Sequence, residues 1–86
     1  MKVIKETKYL SFVIVPMGVT RKTKVVAIVA LHHNEMIGEI RWFSKWRQYS
    51  FYPFNKTIWT PACLDDVNTV IKELMEERKK YVTRRT

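Results

Sequence analysis

The spacing of apolar residues changes once along this chain, at Thr60, and that change constrains the fold more than any other feature. Before it, apolar residues come in strand-length runs or alternate; after it, they recur every three or four residues. Tyr9 to Val15 is rich in β-branched and aromatic types, and Pro16 with Gly18 closes it as a turn. Val25 to Leu31 is an unbroken apolar run with high β propensity at Val25, Val26, Ile28 and Val29. His32, His33, Asn34 and Glu35 then form a polar turn into Met36 to Phe43, which makes a hairpin of the two segments. Ser44 to Trp46 connects tightly to Arg47 to Phe54, where Pro53 suits a strand end or edge because it has no N–H to offer a ladder. Thr57 to Trp59 can add a short strand.

From Thr60 the signals are helical. Thr60 can cap, Pro61 fits the first helical position, and Asp65 and Asp66 sit near the positive end of the helix dipole. Leu64, Val67, Ile71, Leu74 and Met75 form an apolar stripe that Tyr81 and Val82 can continue, so one face must lie on the sheet. Arg78, Lys79 and Lys80 suit the negative end, and Lys72–Glu76 and Glu76–Lys80 are i to i+4 pairs on the solvent side. The expected fold is α+β: a three- to four-stranded antiparallel sheet, a meander, with one C-terminal helix from Pro61 to about Lys80 packed on one face.

A chain of 86 residues builds one core, so residues 1–86 read as a single domain with 1–8 and 82–86 as ends free to fray. Cys63 is the sole cysteine, which excludes an internal disulfide and a cysteine-rich zinc site and fits a reducing compartment. Lys2, Lys5 and Lys8 before the apolar run Tyr9 to Val19 loosely imitate a secretory signal, but Glu6 and Pro16 interrupt it and no small-residue cleavage site follows. The expectation is therefore a cytoplasmic protein, and no membrane association, because the run falls short of the ~20 apolar residues a span requires.

Sixteen Lys and Arg against eight Asp and Glu give a net charge of +8, which favours acidic partners: nucleic acid, an acidic protein face or an anionic surface. The most unusual segment runs from Arg41 to Phe54, and eight of the eleven aromatics lie between Trp42 and Trp59. In a strand Trp42 shares a side with Ile40, while Glu39, Arg41 and Phe43 take the other. One helix covers only one face of a sheet, so some of these aromatics are expected on the uncovered face, beside Arg41, Lys45 and Arg47. Three readings remain open. The rings can fill a core too small to be built from aliphatics alone. They can stack bases while the cations neutralise phosphates. They can anchor a homodimer or another protein.

Catalytic chemistry finds little support. His32 and His33 are adjacent and point apart in an extended chain, so a turn is expected rather than a metal site. Cys63 has no general base beside it in sequence, and two glycines cannot make a phosphate-cradling loop. The expectation is a protein that is not an enzyme, with no cofactor and no metal. Arg84 and Arg85 extend a basic tail that can add phosphate contacts.

Gly38, Ile40, Trp42, Trp46, Arg47, Tyr49, Phe51 and Pro53, followed by Trp59, Cys63, Leu64, Asp66 and Leu74, resemble short proteins of bacteriophages and prophages that have no established activity. The likeness is closest in W-F-S-K-W-R-Q-Y-S-F-Y-P and the later C-L-D-D-V, and it covers under half the chain. It implies a viral or prophage origin, and with it an adaptor or inhibitor of host machinery. The binding reading assigns phosphate contacts to Arg41, Lys45 and Arg47, and stacking to Phe43, Tyr49 and Phe51, with Trp46 part of the same surface. The expected partner is nucleic acid, single-stranded by preference, or an acidic host protein, and the molecule can form a homodimer.

Overall fold

The computed structural model describes the backbone of residues 2–16 and 23–85 and the side chains through Lys80. Five strands follow one another as an antiparallel meander: β1 (Lys2–Glu6), β2 (Leu10–Val15), β3 (Val25–Ala30), β4 (Glu35–Phe43) and β5 (Gln48–Pro53). One helix, α1 (Pro61–Arg85), lies against one face. The α+β meander matches the expectation from sequence, but the strand count of three to four is too low. The missing strand is β1, whose Lys2, Lys5 and Glu6 hide it from any apolar pattern. Charged residues on an edge strand keep its open hydrogen-bonding side from pairing with other chains. A bulge between Val3 and Lys5 adds to that protection and turns Lys5 toward the helix, where it pairs with Glu73 at 3.3 Å.

Thr57 to Trp59 is not a strand. The Trp59 indole N–H donates to the Thr57 hydroxyl at 2.8 Å, and that hydroxyl donates to the Phe54 carbonyl at 2.7 Å, which ties the connection into a local knot of its own. Helix α1 begins where Thr60 predicts, with the Cys63 N–H donating to the Thr60 hydroxyl at 3.3 Å. It continues past Lys80 to Arg85. At ~1.5 Å per residue it is about 37 Å long, against about 20 Å for the six-residue strands and about 30 Å for β4, so it overshoots the sheet.

Leu10 and Phe12 of β2, Val26 and Ile28 of β3, Ile40 of β4 and Tyr49 of β5 meet Val67, Val70 and Leu74 of α1 in the core. Each fully buried aliphatic or aromatic side chain here contributes about 1.5–3 kcal/mol. The helical stripe is thus Cys63, Val67, Val70 and Leu74, flanked by Ile71 and Met75; Leu64, expected within it, is exposed. Two ion pairs tie the helix to the sheet side, Lys5–Glu73 and Lys24–Glu77, and the expected Lys72–Glu76 and Glu76–Lys80 pairs are not among the ion pairs of the described residues. The turn beyond Pro16, including Gly18, Arg21 and Lys22, lies outside the described residues, as do the side chains of Tyr81, Val82, Arg84 and Arg85.

Candidate nucleic-acid interface

The hairpin between β4 and β5 sets the site. Phe43 pairs with Gln48, so Ser44, Lys45, Trp46 and Arg47 form a four-residue turn. It is closed by hydrogen bonds from the Trp46 N–H to the Phe43 carbonyl and from the Arg47 N–H to the Ser44 carbonyl, both 3.2 Å. Arg47 completes the turn at φ 54°, a left-handed conformation that costs an ordinary side chain about 1–2 kcal/mol. Trp46 projects from the turn at 69% exposure, its ring edge-on to Phe43 with centroids 4.9 Å apart.

The overshooting helix brings further cations to this turn. Arg78 lays its guanidinium over the Trp42 ring, 4.1 Å from the centroid, and Arg47, Met75, Glu76 and Lys79 complete an open cleft around them. A guanidinium stacked by one plane keeps its N–H edge free for oxygen acceptors. The sequence alone presents Arg78 and Lys79 as partners of the helix dipole. It does carry a signal for Arg78, which follows Val67, Val70 and Leu74 at the spacing that faces the sheet.

The sequence-predicted residues separate into three groups. Lys45, Trp46 and Arg47 are exposed together in the turn, and Phe43 supports Trp46. Arg41 lies on the uncovered face, paired with Glu39 at 3.3 Å and 5.7 Å from the Tyr52 ring. Tyr49 and Phe51 are a correction: both point to the helix side rather than the uncovered face, Tyr49 buried and Phe51 half-buried. Tyr49 pairs with Trp42 across the strands and is only 5% exposed, its hydroxyl accepting the Lys24 backbone N–H at 3.1 Å. Phe51 packs edge-on to Trp59 at 4.6 Å. The parity of the turn is the reason: with Gln48 opposite Phe43, residues 49 and 51 must take the other face.

His32 and His33 are exposed in the β3–β4 turn with their rings edge-on, 4.5 Å apart. Among the described residues no group of three or more His, Cys, Asp or Glu is placed to hold a metal ion. No helix among them is long and apolar enough to cross a membrane.

The chain is 32% identical to an uncharacterised 9.3 kDa protein of Acholeplasma phage L2 over 77 residues, which covers 90% of this chain and 97% of that protein. A match of that length reaches beyond the aromatic segment into β2 and β3. No protein-family model and no solved structure matches the chain significantly.

Proposed function

This chain belongs to the family of small bacteriophage proteins represented by the Acholeplasma phage L2 relative, and we propose that it is a noncatalytic accessory protein that binds nucleic acid at the β4–β5 turn and the adjoining end of α1. The observation that carries this reading is Trp46, the exposed tryptophan held by Phe43 and flanked by Lys45 and Arg47, with Arg47 also lining the cleft of Arg78 and Lys79 on the helix side. Single strands are the favoured ligand, because an unpaired base presents a π-face to Trp46 while the neighbouring phosphates meet the cations.

A second reading, in which the same surface docks on an acidic host protein, is favoured by the pairing of an exposed Trp with Arg, the side chains most enriched at binding hot spots. Fluorescence anisotropy of labelled single-stranded and duplex oligonucleotides at several salt concentrations tests the first reading against the second. Trp46→Ala is expected to weaken single-strand binding about 5- to 150-fold, the equivalent of ~1–3 kcal/mol per stacked base. Arg78→Ala should reduce the slope of log K against log salt by ~0.7 for each phosphate the arginine neutralises. No binding at low salt would sink the nucleic-acid reading and leave the protein partner.

A further inference from the structure

The face of the sheet away from α1 has a different character from the rest of the molecule. Its central row, in register across all five strands, is Val3, Val13, Ala27, Glu39 and Tyr52. A second row is Glu6, Ser11, Val29 and Met36, and Val15 lies opposite Val25. Ala27, Val25 and Ser11 are buried, whereas Val3 and Met36 are exposed and Val13 and Val29 half-buried. Of the chain's sixteen cations, Arg41 is the one that the described strand register places here, against the acids Glu39 and Glu6. Arg41 is already paired with Glu39.

Ser50, Gln48 and Phe43 lie on its β4–β5 side, while the near-neutral aliphatic part over β1 to β3 offers little to a polyanion or an anionic surface and suits an occupant that is itself aliphatic and near-neutral. We propose that the occupant is a second copy of this chain, the two sheets packing face to face with the helices outside. Five strands ~4.8 Å apart and six residues long at ~3.4 Å each give a face of about 480 Å². Two such faces approach the ~1,000 Å² that a specific interface requires, before side-chain relief is added.

Charge also favours this arrangement. Near the two-fold axis Glu39 and Arg41 of one copy can pair with Arg41 and Glu39 of the other.

Sedimentation velocity over a wide concentration range, with the fold checked by circular dichroism, tests the proposal. The unaltered chain is expected to sediment as a dimer, and Val13→Lys or, at the more exposed position, Met36→Lys to weaken association roughly tenfold or more by placing an unpaired charge in the interface. Glu39→Arg and Arg41→Glu should each weaken it, and the double swap should restore it. A monomer at every concentration, or a dimer indifferent to both lysine variants, would overturn the proposal.

Discussion

Arg47 should cost this protein stability while serving its binding surface, and Arg47→Gly separates the two effects. At φ 54° the arginine bears a left-handed penalty of about 1–2 kcal/mol that glycine escapes. Glycine in turn loses more chain freedom on folding, about 0.5–1 kcal/mol. The difference leaves the variant more stable by roughly 0.5–1 kcal/mol, a rise in Tm of about 2–8 °C for a domain of this size. Lys56, at φ 61° in the connection before α1 and remote from the cleft, is the internal control. Lys56→Gly should stabilise comparably and leave oligonucleotide affinity unchanged, whereas Arg47→Gly should lower affinity and flatten its salt dependence. Thermal unfolding by circular dichroism reads the first effect and anisotropy the second. A less stable Arg47→Gly would refute the strain argument, and an unaltered salt slope would remove Arg47 from the binding surface.

The remaining predictions concern the core. Tyr49→Phe removes the hydroxyl that accepts the Lys24 N–H and should cost about 0.5–1.5 kcal/mol in urea unfolding, while Tyr49→Ala should cost ~3–5 kcal/mol by emptying the ring's site against Trp42. A Tyr49→Ala variant of full stability that had lost oligonucleotide binding would return this ring to the ligand surface. Gly38→Ala would place a Cβ 3.1 Å from the Trp59 ring, and 3.2 Å from both the Phe51 ring and the Tyr52 carbonyl. The carbonyl belongs to a paired strand and cannot swing away, so overpacking of ~1–3 kcal/mol should outweigh the ~0.4–1 kcal/mol gained from a less flexible unfolded chain, and the melting temperature should fall.

Local chemistry made most of the elements legible. The β-branched runs at β2 and β3, the polar turn at His32–Glu35 and the Thr60–Pro61 start of α1 all stand where residue type alone puts them. What could not be read was long-range. Strand β1 pairs with its hairpin neighbour β2, which its own charged residues do not announce, and is tied to the helix by Lys5 reaching Glu73, a partner far from it in sequence. Glu73 and Glu77 pair with lysines of the sheet and of the approach to β3, contacts that helical spacing does not reveal. The site residues depended on one local number, the length of the β4–β5 turn. A single residue more or less before a strand exchanges its two faces, so an aromatic cluster can be counted from sequence without showing which rings the core will take.

That division of the rings is what points to Trp46. A domain of 86 residues has little interior, and Trp42, Tyr49, Phe51 and Trp59 all pack in or against its core. Their removal would damage fold and function together, so they cannot report on binding. Trp46 lies outside this set, and its only aromatic contact among the described residues is the edge of Phe43, worth about 0.5–1.5 kcal/mol. Stability thus gives a weak reason for the largest side chain to stand 69% exposed in a turn between a lysine and a strained arginine. A ligand surface gives a stronger one, because a rigid ring already held on edge loses little freedom when a base or a partner side chain stacks on it.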